Sequence, residues 1–557
     1  MPIQPTYPGV YIQEVSSGVR TITGVATSTA AFFGRALKGP VDIAVRCTSF
    51  TDFLRNFGVV PHPKSDLKNS VKQFFDNGGS DCYVVRVAKG AVKAEAEVPN
   101  GVTPTAQNIL LFKAKTEGVW GNNIQLEVAM TPTVDAIPAT TTDPAVPAVN
   151  PDGLFDLTVS EMQGTTALVS ETYLNLSMNP ASPRYVVNLV TQNSALVDVK
   201  YIGTTAITTF NSKAGPQSTT TTTGTGTATV VTVTPIKLQT GLDEAAVTPA
   251  TDPTIDAAAY QGLESSHTGF FALDKVDLFN LMIIPGDVDI NDTNYKDIIN
   301  SGSIYCMKHR AFLLADSPSI WTTGRQLNTG TTGPADTIDD FRIGLEKQYS
   351  AVFYPRLVFS DAGIVRSIGA SGAIAGVMAR TDSQRGVWKA PAGVDADIRG
   401  ILDLDVNLTD NENGILNKQG INCLRKFPNG IVNWGARTLD GADDFGSEWK
   451  YIPIRRLALF LEESLFRGTK WVVFEPNDEP LWAQIRMNLN AFMTSLFRQG
   501  AFQGSTPDKA FFVKCDGETT TQNDRNLGIV NIQVGFAPLK PAEFVIITIQ
   551  QIAGDLV

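Results

Sequence analysis

Few side chains in this sequence are of the kinds that move protons, hold metals or attack carbonyl groups. Its histidines number three, His62, His267 and His309. Acid–base and metal centres draw first on histidine, so that scarcity narrows the chemistry at once. The five cysteines, Cys47, Cys82, Cys306, Cys423 and Cys515, are odd in number and widely spaced. They match neither a zinc-ligand spacing nor a disulfide framework, and reduced, buried thiols are expected. There is no Walker lysine after a Gly-rich loop and no GxGxxG between a strand and a helix, so no phosphate cradle is expected either. Paired acids such as Asp339–Asp340 and Asp443–Asp444 read as helix caps or solvated loops.

One stretch invites a catalytic reading. GASGAIAG, over 369–376, places Ser371 after a loop at the expected start of a helix, as a serine nucleophile sits in hydrolases of the subtilisin type. Nucleophilic catalysis would also need a histidine base oriented by a carboxylate. Neither His267, in SSHTGFF, nor His309, near the end of a predicted helix, has the Gly-rich setting that such enzymes use. The plainer reading makes Ser371 a helix N-cap, with small residues after it for close packing. No catalytic, cofactor-binding or metal-ligating residue is assigned, and no cofactor is expected.

The elements around these residues alternate. Buried strands are predicted within Thr23–Ala36 and Asp81–Ala88, with a helix over Leu67–Asn77 between them. Further strands are predicted at Phe279–Pro285, Ala311–Ala315 and Ala351–Phe359, with helices at 293–309, 335–348 and 371–385. Strand and helix in alternation imply a parallel sheet covered by helices. A helix over Ile454–Phe466, a strand Trp471–Phe474 and a helix over 479–499 follow. The last predicted strands are Ala510–Lys514, Gly528–Val534 and Glu543–Gln550. The fold class is α/β.

Between these halves the composition changes. Residues 1–90 carry a net charge of +4, residues 91–265 carry −9 and residues 266–557 carry −6. The middle block holds two Thr-, Pro- and Ala-rich stretches, at 131–151 and 217–235, which read as loops or exposed strands. Short runs such as Ile124–Met130 and Tyr185–Val190 read as strands. Residues 91–265 are therefore expected to form β-rich, outward-facing domains inserted into the α/β core. The 557 residues suggest three to four domains at about 150 residues each. The formal charge of −11 argues against nucleic acid as a partner. No apolar run reaches about 18 residues, so no membrane insertion is expected, and the N-terminus lacks the pattern of a signal peptide.

Both termini read as extended arms. Pro2, Pro5 and Pro8 precede the β-prone run Gly9-Val10-Tyr11-Ile12-Gln13-Glu14-Val15. Eighteen extended residues would reach roughly 60 Å. At the other end, Lys540-Pro541 leads into Phe544-Val545-Ile546-Ile547-Thr548-Ile549. Each run could lie as a terminal strand on its own domain, or add a strand to a neighbour's sheet edge.

YPGVYIQE (7–14) and GVATSTAAFFGRALKGP (24–40), followed in order by FFDNGGSDCYVVRVAKG (74–90), NGIVNWGARTL (429–439), YIPIRRLALFLEESL (451–465) and WVVFEPNDEPLW (471–482), resemble the tail sheath proteins of contractile bacteriophages and of phage-derived injection particles. The resemblance implies a core similar to subtilisin in fold but without its catalytic residues. It implies a homo-oligomer of stacked hexameric rings around an inner tail tube protein, with baseplate and tail terminator proteins as further partners. It implies assembly in the host bacterial cytoplasm, a single contraction and passage of the tube through the bacterial envelope. On this reading the segments are an N-terminal arm (1–18), a first core part (19–90), the outer insertion (91–265), a second core part (266–425), an inner, tube-facing domain (426–540) and a C-terminal arm (541–557). The arms would join a neighbour's sheet among Phe511, Phe512, Val513, Ile529, Val530, Ile532 and Val534. Arg455, Arg456, Glu462, Glu463 and Arg467 are the candidates to face the tube. The insertion of some 170 residues exceeds the shorter sheaths that injection particles use, which favours a phage virion over a genome-free particle. A hydrolase or an adhesion protein built on the Thr-rich region would leave the ordered motifs unexplained.

Overall fold

The computed structural model describes residues 20–99, 108–130, 154–203, 221–222, 231–232, 235–243, 255–321, 338–361 and 363–547. Its centre is an eight-stranded sheet. In spatial order the strands are Ala44–Cys47, Cys82–Arg86, Ala30–Gly34, Leu281–Ile283, Phe312–Asp316, Ser350–Tyr354, Asn422–Phe427 and Gly430–Asn433. The six inner strands run parallel and the two edge strands antiparallel. Parallel neighbours need crossover connections, and the crossover helices cover both faces. That is why Ala30–Gly34, Phe312–Asp316 and Ser350–Tyr354 are buried at every position.

The side chains divide with the two-residue period of a strand. Phe312 and Leu314 face one way, into a core shared with helices Leu67–Asp76 and Ser371–Arg385. Leu313 and Ala315 face the other way, toward helix Asp292–Lys308. The small residues of GASGAIAG let two helices approach closely. A Cβ on Gly372 would lie 2.3 Å from the Ser70 hydroxyl, and one on Gly376 would lie 2.4 Å from the Phe74 carbonyl oxygen. Ser371 is not the N-cap expected of it. It is the first helical residue, after Ala370, and its backbone N–H donates to Asp316 Oδ1 at 2.8 Å. The capping oxygen comes from the end of a strand 55 residues earlier.

Three other elements differ from expectation for physical reasons. The run Ala351–Phe359 is two strands, Ser350–Tyr354 and Leu357–Asp361, because Pro355 has no N–H to give the ladder. Tyr185–Val190 opens the helix Val186–Asn193 and is not a strand. Its buried residues, Val186 and Val190, stand four apart, and so short an apolar run fits either period. The helix expected over 335–348 is confined to Ile338–Arg342, followed by a 3-10 turn, with 335–337 outside the described residues.

The inserted region has its own core. One sheet, Glu95–Pro99, Asn108–Ala114 and Val197–Tyr201, and another, Ile236–Lys237, Ile124–Met130, Phe155–Gln163 and Thr166–Leu176, share it with helix Val186–Asn193. Phe112, Leu126 and Leu157 lie at its centre. Most of the two Thr-rich stretches falls outside the described residues. The Lys38 ammonium meets Glu161 at 2.7 Å, tying this region to the central sheet's connections.

Gly376→Ala tests the helix contact. Overpacking a buried interface costs about 1–3 kcal/mol, so the urea midpoint should fall. Gly414→Ala, in a helix where the added Cβ meets nothing within 4 Å, should hold or raise it.

Candidate assembly interface

The residues around Ser371 serve the packing of the fold. The Ser371 N–H meets Asp316 at the carboxyl end of strand Phe312–Asp316, whereas His309 precedes that strand, five residues of extended chain away, or roughly 15 Å. His309 Nε2 and His267 Nδ1 instead face the Asp274 carboxylate, at 3.7 and 3.6 Å. Burial pushes the His309 imidazole below its ordinary value. His62 accepts the Lys64 N–H through Nδ1 at 3.3 Å. All five cysteines are free and buried, and burial pushes the Cys47 and Cys423 thiols up to about 12, far from a reactive thiolate. Among the described residues no group of three or more His, Cys, Asp or Glu is placed to hold a metal ion. Nor is any described helix long and apolar enough to cross a membrane.

The C-terminal part is built differently. Helices Ile452–Gly468 and Glu479–Arg498 pack through Leu457, Leu461, Trp482, Ile485 and Leu489. A two-stranded antiparallel sheet lies on them, Phe511–Lys514 against Gln533–Phe536, in register Phe511 to Phe536 and Val513 to Val534. Each of its strands has one partner among the described residues, so the sheet has two open edges. The strand expected at Gly528–Val534 therefore begins later. The N–H of Ile529 donates to Asp524 O at 2.8 Å and that of Asn531 to the Thr520 hydroxyl at 3.1 Å, which commits that backbone to the preceding turn. Of the expected acceptor residues, Phe511, Phe512, Val513 and Val534 lie on the paired strands. Ile529, Val530 and Ile532 lie just before the second one.

The chain then crosses back to the central sheet. The buried Arg437 guanidinium donates through Nε to Glu543 Oε1 at 2.8 Å and through Nη2 to Oε2 at 2.5 Å. Its third nitrogen, Nη1, reaches Asn417 O and Asp443 Oδ1. This pair fixes the tail at Glu543. Beyond it Phe544, Val545, Ile546 and Ile547 are between 76% and 90% exposed, and none belongs to a strand of this copy. Four consecutive apolar side chains in water are a strong departure from the usual scatter, since burying each would stabilise by about 1.5–3 kcal/mol. Thr548 and Ile549 lie outside the described residues, as does the whole N-terminal run Gly9–Val15.

The five charges expected to face a tube are mostly engaged within the chain. Arg456 is buried against Asp382, with nitrogens 2.6 and 3.0 Å from its two carboxylate oxygens, and donates to Thr27 O at 2.9 Å. The Arg455 guanidinium lies between the rings of Tyr349 and Trp449, 4.3 and 4.5 Å from their centres. The buried Glu463 carboxylate accepts from Arg310 and from Arg467, each at 2.6 Å, and Arg467 also reaches Asp277 at 2.7 Å. Arg455, Arg456 and Glu463 are thus turned inward, and only Glu462 and Arg467 keep surface to offer a partner. The strand expected at Trp471–Phe474 is a 3-10 turn, Lys470–Val472, leading into an exposed loop.

Comparison with known proteins points one way. Residues 444–552 match the family model described as the phage tail sheath C-terminal domain, and residues 270–439 the one described as the phage tail sheath protein central domain, together half of the chain. The chain is 30% identical over 185 residues to a tail sheath protein of Vibrio phage KVP40, covering 32% of this chain and 26% of that one. It is 26% identical over 225 residues to a prophage major tail sheath protein of Pseudomonas aeruginosa, covering 38% and 54%. The matches thus span about a quarter and about half of those relatives' length. Among solved structures, the contracted helical sheath of the anti-feeding prophage aligns over 98% of this chain and 99% of its own, with TM-score 0.56 and 22% identity. A sheath tail protein of Listeria innocua aligns over 93% and 96%, with TM-score 0.52 and 11% identity. The fold is that of these sheath subunits.

Asp66 gives this fold a pH signature. Burial pushes its carboxyl up to about 7, against the pull of Arg356 and Arg366 and with Asp316 and Asp287 nearby. The folded chain thus holds this proton more tightly than the unfolded chain does. That contribution is complete below the ordinary carboxylate range and is lost as pH rises through about 7. Asp66→Asn should therefore gain thermal stability relative to the wild type between pH 5 and pH 8. A difference that stays constant with pH would show that Asp66 titrates normally.

Proposed function

The chain belongs to the phage tail sheath family, and we propose on that premise that it is a structural, non-enzymatic subunit of a contractile tail sheath. In this reading it polymerises as stacked hexameric rings around an inner tube, anchored on a baseplate and closed by a terminator. It contracts once and drives the tube through a bacterial envelope. The core is taken as subtilisin-like without catalytic residues, the insertion as the outer surface and the two-helix region as the inner one.

The observation that carries the reading is the tail. Glu543 is locked to Arg437, while the four residues after it present apolar side chains and unpaired backbone to solvent. The Phe511–Lys514 and Gln533–Phe536 strands, in turn, present open edges. A segment outside any sheet and a sheet whose strands have no third strand among the described residues, on the same chain, fit strand exchange between copies. We assign Phe544–Ile549 and Gly9–Val15 as the two donors. At about 1 kcal/mol net per backbone hydrogen bond, arms with some five bonds each would link subunits by several kcal/mol. Such links would survive rotation of one subunit against the next.

No bound nucleotide is needed in this mechanism. Energy would be stored during assembly in a metastable extended lattice and released when larger contacts replace smaller ones. Glu462 and Arg467 are what the Ile452–Gly468 helix can offer a tube, and exposed ion pairs of about 0–1 kcal/mol suit a surface that must let go. A genome-free phage-tail-like particle is the second reading, favoured by the end-to-end alignment with the anti-feeding prophage sheath.

Negative-stain microscopy tests the proposal. The purified full-length chain should form hollow tubes. A version lacking residues 1–16, and Ile546→Asp, should keep the same circular dichroism but fail to form them. A full-length chain that stays a monodisperse monomer would sink the sheath reading. Tubes from both variants would remove the arms as linkers.

A further inference from the structure

The loop between the two inner helices displays an aromatic side chain that the fold has no use for. Phe474 is fully exposed, and Val473 before it is 63% exposed. Phe474 also has a φ of +71°, in the left-handed region that bulky residues avoid. Glycine would relieve that strain, and a polar residue would relieve the exposure. The chain has neither there. Strain and exposure together at one residue mark a place where something outside the chain supplies the compensation.

The loop is braced rather than loose. Trp482 Nε1 donates to Asn477 Oδ1 at 2.9 Å, and Asn477 Nδ2 donates to Ile529 O at 2.9 Å. The N–H of Glu475 donates to Val472 O at 3.1 Å. At its foot the Arg20 guanidinium lies 4.7 Å from the centre of the Trp471 ring, and the Arg20 N–H donates to Asn488 Oδ1. Arg20 and Glu475, 4.0 Å apart and both partly exposed, form a polar rim beside the apolar tip. A rigid aromatic with a polar surround is the anatomy of a binding hot spot, because little conformational freedom is left to lose on docking.

We propose that Phe474 is the anchor by which one copy of this chain docks on a second copy. The occupant follows from what the loop is bonded to. Residues 1–19 join the body at Arg20, at the foot of the loop, and Ile529, held by Asn477, leads into the open-edged strand Gln533–Phe536. Under the strand-exchange reading, on which this inference rests, a neighbouring copy is engaged on both sides of the Phe474 tip. A head-to-tail contact of this kind joins unlike patches of identical chains and propagates a helix rather than closing a dimer.

The test uses the full-length chain, Phe474→Gly, Phe474→Ala and, as a control, Val288→Ala, which truncates another well-exposed apolar side chain. The unassembled Phe474→Gly protein should match or exceed the wild-type thermal midpoint. The concentration at which half the protein sediments as tubes should rise about tenfold or more for both Phe474 variants and stay unchanged for Val288→Ala. Phe474 variants that assemble at the wild-type concentration overturn the proposal, as does a loss confined to capture of purified tube protein. A defect in Phe474→Gly alone also overturns it, since that would report backbone freedom rather than the ring. If the wild type itself never assembles, all four proteins behave alike, and the sheath reading falls first.

Discussion

The contact on which the arrangement of this molecule turns is the buried pair between Arg456 and Asp382. Arg456 belongs to helix Ile452–Gly468 and Asp382 to helix Ser371–Arg385, packed under the central sheet, and Thr27 joins them by donating its hydroxyl to Asp382 at 2.7 Å. Burying two charges gains little stability compared with an apolar contact of the same shape, because each must be taken out of water. What such a pair supplies is geometry. Any slide of that C-terminal helix along the core would leave a charge buried without its counterion, at a cost of about 3–5 kcal/mol. Glu463, held between Arg310 and Arg467, repeats the device one turn from the other end of the helix.

Two fixed points along one helix make the two-helix region and the central sheet a single lever. This bears on the proposed lattice, where load arrives through the termini. The C-terminal tail is tied beside the central sheet by Arg437 and Glu543, and Arg20, the first described residue, lies against Trp471, between the two C-terminal helices. A pull on either end is thus taken up by the same rigid unit. The insertion stands apart from this lever, with its own core and a connection carried by contacts such as Lys38 with Glu161.

How much of this the sequence discloses depends on the range of the interaction. The parallel sheet was readable because full burial on both faces writes itself as unbroken apolar runs, and the glycines of GASGAIAG announced a close helix contact. The β-prone run Phe544–Ile549 after Pro541 fits a terminal strand and an arm equally, so the exposure of Phe544–Ile547 was not legible from local pattern. The five charges on helix Ile452–Gly468 were visible as charges, but Arg456, Glu463 and Arg467 find partners 74, 153 and 190 residues away, at Asp382, Arg310 and Asp277. No local pattern tells a surface ion from a buried one. The same holds for Ser371, whose cap is a carboxylate from another strand. The start of the last strand was misplaced because the preceding turn outcompeted the ladder, through the Asp524 carbonyl at Ile529 and the Thr520 hydroxyl at Asn531.

Phe474 shows the same gap between local pattern and fold. Its type and neighbours suggested a strand residue, and a phenylalanine in a strand would be half-buried and conformationally ordinary. The fold makes it neither, because Asn477 and Trp482 end the segment in a turn before a strand can pair. A residue whose local preference, backbone and solvation all disagree is one that a monomer alone would not maintain. The Phe544–Ile547 tail shows the same conflict in solvation, four apolar side chains in water after a glutamate paired with the buried Arg437. Both sites lie in the C-terminal part of the chain, where the two-stranded sheet also leaves its edges open. The chain is internally consistent over its central sheet and inconsistent at these places, which is the pattern expected of a subunit whose fold is completed by its own copies.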